Sequence, residues 1–297
     1  MSKTNKINCP NATSPVNISM DSIMGPCVLK CDYNYSYGDY VPNISNKNSY
    51  LSLNYSGKFN PVKYNDENYN VQEIRIYQPS LHTYNGSRAA GEMFIIHNGA
   101  GKNLIVSIPI VVGGKTNKGS VLMASVIAEA ALRIPNNNES VTLSMGNFSL
   151  DEFIPDRKGY FSYTGTLPYE PCNGSYNYIV YNIDNALNVS SDNMTQLKQI
   201  ILTTSCNVKT NNNTFYNKNG ANSKNNGDEI FIDCQPVNSE GELLVNIDGS
   251  NVSTAGMAPD FDFEKITPYL YVIIGAITAY GIVYAAKTLF IKLRKQD

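Results

Sequence analysis

Residues 104–112, Leu-Ile-Val-Ser-Ile-Pro-Ile-Val-Val, carry one polar side chain among apolar ones. A run this short and this apolar suits a strand buried on both faces. Such a strand needs cover above and below it, which places it inside a large sheet. Pro109 has no N–H to give to a ladder, so a bulge or a strand edge is expected there.

The rest of the chain supplies partners for that strand. Val71–Tyr77, Glu92–His97, Tyr176–Ile183 and Glu229–Asp233 are short and rich in Val, Ile, Tyr and Phe, as strands are. Val121–Arg133 is the one long soluble helix, with apolar residues at helical spacing and a stop near Pro135. Asp192–Leu202 reads as a shorter helix, capped by Ser190, Ser191 or Asp192. Strands with few peripheral helices predict an α+β fold centred on one large, mixed, mainly antiparallel sheet. Some 250 residues before the C-terminal apolar stretch are enough for one substantial core.

Four stretches then point to a family. They are Thr13-Ser-Pro-Val-Asn-Ile18, His82-Thr-Tyr followed by Ala89-Ala-Gly-Glu-Met-Phe-Ile-Ile-His97, Tyr160-Phe-Ser-Tyr-Thr-Gly-Thr-Leu-Pro-Tyr-Glu-Pro-Cys172, and Val189-Ser-Ser-Asp-Asn-Met-Thr-Gln-Leu197. In order and spacing they resemble the α-carbonic anhydrases. The resemblance implies that fold over residues 1–248, and it implies a zinc site on one sheet face.

The residues at the implied site are the wrong ones for zinc chemistry. A catalytic zinc takes three protein ligands, in this family three histidines. The chain has two histidines, His82 and His97, and both match positions that do not bind metal. The ligand positions match Arg75, Tyr77 and Phe94. The hydroxyl that gates the zinc-bound hydroxide is replaced by Pro168, and its carboxylate partner by Leu81. The proton-shuttle position falls near Lys58. No metal, no cofactor and no carbonic anhydrase activity are expected. His82, Glu92 and Tyr163 match groups that orient the zinc ligands, and the ordinary role left to them is hydrogen bonding in the core. A buried carboxylate needs a charge partner, so Arg75 is expected to fill the vacated zinc position and pair with Glu92. Ile96, Val106, Leu167 and Tyr178 match the apolar substrate wall. The loops after Tyr77 and after His97 are short for the family, which implies a shallow mouth.

Ile266–Ala286 is uncharged and long enough to span a bilayer. Tyr269 and Tyr271 sit near one end and Tyr284 near the other, as aromatic belts do, and Lys287, Lys292, Arg294 and Lys295 follow. That pattern predicts a single C-terminal anchor with the N-terminal domain outside and a basic internal tail, residues 287–297. Residues 249–265 read as a polar tether. Met1–Pro10 is too polar for a signal peptide, so late insertion is expected. The resemblance implies a Cys9–Cys172 disulfide. Cys206 and Cys234 bracket the Asn-rich stretch 207–227, which reads as a disordered insertion closed by a second bond. Cys27 and Cys31 could pair locally, or one could cross-link chains. Asn-x-Ser/Thr sites, Asn11, Asn34, Asn85, Asn173 and Asn193 among them, follow from the high Asn content.

A metal-less anhydrase domain with a C-terminal anchor resembles the carbonic anhydrase homologues of poxvirus virion membranes, or of a related large DNA virus. That resemblance implies attachment to host cell-surface glycosaminoglycan of the chondroitin sulfate kind, through the old active-site face. It also implies a viral membrane location, with a homo-oligomer possible. Charge opposes a simple transfer. Residues 1–265 hold 19 basic and 24 acidic side chains, a net charge near −5. Sulfated polymers need a local positive patch, for which Lys58, Lys63, Lys102, Arg157 and Lys158 are the candidates. A virion membrane protein that binds a protein partner or a neutral glycan is the alternative. No basic stripe, phosphate loop or hydrolase triad is present, so nucleic-acid binding is not expected.

Overall fold

The structure, a computed structural model, describes residues 4–27, 31–143, 145–146, 148–210 and 213–222. All of them fall in one compact unit, Met1–Ile230. Expectations for Glu229–Asp233, Cys234, the tether, the anchor Ile266–Ala286 and the basic tail lie outside the described residues. Within those residues no helix is long and apolar enough to cross a membrane.

A 13-stranded mixed sheet organises the unit. Its main path uses ten strands, labelled here in chain order: β1 Ile23–Pro26, β2 Asn43–Asn46, β3 Leu51–Leu53, β4 Glu67–Tyr77, β5 Gly91–Gly99, β6 Asn103–Val112, β7 Ser140–Thr142, β8 Tyr160–Gly165, β9 Tyr176–Tyr181 and β10 Thr214–Asn217. They lie in the order β7-β2-β3-β4-β5-β6-β9-β8-β10-β1. Pairing is antiparallel along this path except at β6–β9 and β10–β1.

Strand β6 sits in mid-sheet, as its composition requires, and Leu104 to Ile110 are buried. Pro109 is neither at a bulge nor at an edge. It stands opposite Glu92 in an unbroken β5–β6 register. On its other side β6 pairs with β9 up to Ser107, and with Leu187–Val189 from Ile110 onward. Pro109 occupies the gap between those two neighbours, where no ladder bond is asked of its missing N–H. The register shift falls instead between β5 and β4, at Ile96/His97.

Two helices, α1 Lys118–Arg133 and α2 Ser191–Ile200, cover one face. Helix α1 starts before Val121 because the Asn117 side chain caps it, accepting from Ser120 N at 2.8 Å. Ser190 caps α2 through Asn193 N at 3.0 Å. Asn46, fully buried, donates to Ile134 O and Ile200 O, so one carboxamide ties both helix C-terminal ends to β2. The core on this side gathers Ile74, Ile76, Met93, Ile95, Val106 and Ile108 against Met123, Val126, Leu197 and Ile200. Tyr77, Phe94, Ile96, Ile105, Tyr163 and Tyr178 pack in a separate cluster on the opposite face. Val106 therefore belongs to the helix side, not to the expected substrate wall. Alternation puts Ile105 there, and a one-residue slip in matching exchanges the faces.

Within the Asn-rich stretch, residues 214–217 are a strand, not the disordered insertion expected. Thr214–Asn217 forms β10, antiparallel to β8 and parallel to β1. Asn217 is buried and spends its whole side chain. It donates to Cys31 O and Tyr160 Oη and accepts from Asn219 N and Gly220 N. Asparagine here satisfies buried polar groups, a use that composition alone conceals.

Candidate functional site

On the face away from the helices, β4 presents Glu73, Arg75 and Tyr77 at alternate positions. Register places Arg75 opposite Phe94 and Tyr77 opposite Glu92. The three positions matched to zinc ligands therefore converge on one patch. The N-terminal arm and the loop after β8 close over its edge. Thr13 and Thr166 exchange backbone-to-hydroxyl bonds at 3.0 and 3.1 Å. Tyr178 Oη donates to Thr166 O at 2.6 Å. The Cys9–Cys172 disulfide joins arm to loop, and Cys27 pairs locally with Cys31. Cys206 has no disulfide partner among the described residues.

Arg75 does not pair with Glu92. Its Nε donates to Glu73 Oε2 at 2.8 Å, Nη2 lies 2.7 Å from the same oxygen, and Nη1 donates to Tyr77 Oη at 3.3 Å. Glu73 stands two residues along β4 on the same face, while the cross-strand partners Ser52 and Phe94 carry no charge, so the ion pair forms along the strand. The guanidinium is sandwiched by Tyr50 and Tyr169, with ring centroids 4.4 and 4.1 Å from its central carbon. A cavity of about 320 Å³ opens beside it, lined by Lys6, Tyr50, Arg75, Tyr77, Tyr169 and Glu170 among others.

Glu92 has its own closed shell. Its carboxylate accepts from Leu81 N at 2.6 Å, His82 N at 3.1 Å, His82 Nδ1 at 2.7 Å, Tyr84 Oη at 3.0 Å and Ser107 Oγ at 2.6 Å. Burial alone would raise its pKa. The charge and ring N–H of His82, with the Ser107 hydroxyl and the His82 backbone N–H, outweigh burial and hold it below the usual value. His82 Nε2 meets Tyr163 Oη at 2.7 Å. The hydrogen-bond partner facing Glu92 is thus His82 rather than the expected Arg75, and the loop after β4 brings it to the carboxylate.

The five basic candidates do not gather at the cavity. Lys58 Nζ donates to Ser36 Oγ. Lys63 pairs with Asp66, and Lys102 with Glu67. Glu67 starts β4, roughly 26 Å along the strand from Arg75 at about 3.3 Å per residue. Arg157 and Lys158 precede β8, four strand spacings from β4, on the order of 19 Å. Lys6 lines the cavity instead, from strand Thr4–Lys6, which pairs in parallel with Thr203–Ser205. Reading the N-terminal decapeptide only as a failed signal sequence missed it. Tyr169 sits inside the matched loop, one residue after Pro168, where attention to the lost hydroxyl hid it.

Residues 5–225 match the family model for eukaryotic-type carbonic anhydrase. The chain belongs to that family. Alpha carbonic anhydrase 7 of Arabidopsis thaliana is 26% identical over 137 residues, 45% of this chain and 48% of the relative. The chain thus spans about half the length of that curated relative. Among solved structures it is similar to dioscorin complexed with ascorbate (TM-score 0.59, 18% identity, 70% of this chain and 87% of the other). It is similar also to the α-carbonic anhydrase of Thermovibrio ammonificans in complex with sulfanilamide (TM-score 0.57, 17% identity, 70% and 88%).

The family's catalytic zinc does not fit the residues present. A guanidinium, a phenol and a phenyl ring stand at the three positions that the sequence resemblance matches to its ligands. Both histidines have their ring nitrogens engaged elsewhere, His82 with Glu92 and Tyr163, His97 with Tyr37 Oη and Leu104 O. Among the described residues no three His, Cys, Asp or Glu side chains come together as a metal site. Leu81 and Pro168 are both buried and offer no hydroxyl–carboxylate pair to orient a nucleophile.

Proposed function

We propose that this chain is a non-catalytic carbonic anhydrase-like protein of a virion membrane, and that it attaches particles to host cells by binding glycosaminoglycan of the chondroitin sulfate kind. One observation carries the reading. Arg75, at a position that the resemblance matches to a zinc ligand, is a cation held between Tyr50 and Tyr169. A guanidinium donates hydrogen bonds to oxyanions and offers no lone pair to a metal. The sequence resemblance to poxvirus virion-membrane homologues and the apolar segment Ile266–Ala286 support the location. The experiment compares binding of the protein to cells with and without chondroitin sulfate, across a salt series. Loss of binding on chondroitinase treatment and at high salt is expected. Equal binding to both cell types, or carbon dioxide hydration with bound zinc, refutes it.

One observation favours a neutral glycan instead. Asn60, Asn68, Asn70, Asn98 and Glu67 line a groove of about 510 Å³ at the far end of β4, where Lys102 is neutralised by Glu67. Salt-insensitive binding to glycosaminoglycan-deficient cells would select this reading.

A further inference from the structure

Arg75 has more donors than partners. A guanidinium carries five N–H groups. Three are taken, two by Glu73 and one by Tyr77. One hydrogen on each terminal nitrogen has no partner among the described residues. Tyr77 accepts from Arg75, and its own hydroxyl hydrogen has no acceptor among the described residues. Burial raises the Tyr77 phenol well above its ordinary value, so it keeps that proton. A buried tyrosine hydroxyl normally finds an acceptor, and Tyr77 is 1% exposed. Arg75 and Tyr77 line the same cavity, which therefore offers three uncommitted donors.

The charges around it select the ligand further. Arg75 and Lys6 are offset by Glu73 and Glu170. A locally neutral site tolerates one added negative charge more readily than two. Tyr50 and Tyr169 lie against the guanidinium, Nε and Nη2 bond Glu73 and Nη1 bonds Tyr77, so the hydrogens left are one on each terminal nitrogen. Those two hydrogens match two oxygens of one oxyanion.

We propose that the Arg75 cavity binds a singly charged oxyanion, a sugar carboxylate or sulfate ester, end-on between Tyr50 and Tyr169. The inference deepens the glycosaminoglycan reading, since such chains carry both groups, and it rests on that reading only for the identity of the polymer.

The test uses the full chain, solubilised, with four probes followed by titration calorimetry and saturation-transfer NMR. The probes are glucuronate, N-acetylgalactosamine 4-sulfate, glucose 1-phosphate and glucose. Saturable binding of the first two is expected, with the phosphate dianion weaker and glucose absent; the carboxylate and sulfate arms decide which group is preferred. Tyr77→Phe removes one donor and should weaken binding about three- to tenfold. Arg75→Lys keeps the charge, loses the fork, and should weaken it about tenfold or more. No saturable binding of either anion overturns the proposal, as does equal affinity in both variants. Should Arg75→Lys fail to fold, Tyr77→Phe decides alone, because it deletes a single oxygen. Chondroitin sulfate retained equally by wild type and variants overturns this site and leaves the attachment reading standing. Small anions bound without polymer retention overturn the attachment reading and leave the site.

Discussion

His82 Nδ1 donates to Glu92 Oε1 across 2.7 Å, and both side chains are fully buried. The carboxylate takes four more donors from Leu81, His82, Tyr84 and Ser107. Replacing it leaves several buried donors without an acceptor. Glu92→Gln should destabilise the domain by about 3–5 kcal/mol, read from denaturant midpoints. A cost under about 1 kcal/mol would mean that the network carries little.

His97 predicts an acid-sensitive fold. Burial pushes its pKa from 6.5 down to about 3. Between those values the unfolded chain takes up a proton that the folded chain refuses. Stability should therefore fall as pH drops from about 6.5 toward 3, by about 1.4 kcal/mol per pH unit from this group. Glu92 adds to the loss only lower, because its depressed pKa gives stability that is present above the ordinary carboxylate range and lost on acidification through its folded value. Urea midpoints at about pH 7, 5.5 and 4 check this. In His97→Gln the upper part of the slope should disappear.

Strand β10 can be tested at its end. Gly220 has φ 78°, and a Cβ there would lie 2.5 Å from Arg157 C and 2.6 Å from Lys158 N. Gly220→Ala should cost about 2 kcal/mol or more, from left-handed strain and backbone overlap together. Amide exchange supplies the second readout, since Thr214–Asn217 should be protected along with β8. Unprotected amides there would return the segment to a disordered insertion.

The Cys9–Cys172 bond spans 163 residues. Cys9→Ala with Cys172→Ala should lower stability by about 3–5 kcal/mol by the chain-entropy argument. Thermal unfolding with and without reductant measures it. Reductant should have the smaller effect in the double variant.

Restoring ligands should restore metal. Arg75→His, Tyr77→His and Phe94→His together place three imidazoles on the patch where Arg75 faces Phe94. Zinc analysis after dialysis should show about one ion per chain in the triple variant and substoichiometric zinc in the parent. Zinc held by the parent would contradict the misfit argued above.

Much of the sheet was legible in residues 71–112 because apolar runs and β-branched residues report burial directly. Helix limits moved by a few residues because caps such as Asn117 and Ser190 are set by local side-chain bonds. Strand β10 was hidden since Asn217 is polar by composition yet buried by its four hydrogen bonds. Val106 was placed on the wrong face because period-2 alternation punishes a single-residue misalignment.

By itself the sequence determined the family and which side chains stand at Arg75, Tyr77 and Phe94, because these depend on residue identity and order. Tertiary structure decided which charges meet. Glu73 claims Arg75, His82 claims Glu92, and Lys6 reaches a cavity that five other candidate cations do not. Pairing energy depends on distance and burial, and both are fixed only when strands and loops remote in the chain come to rest side by side.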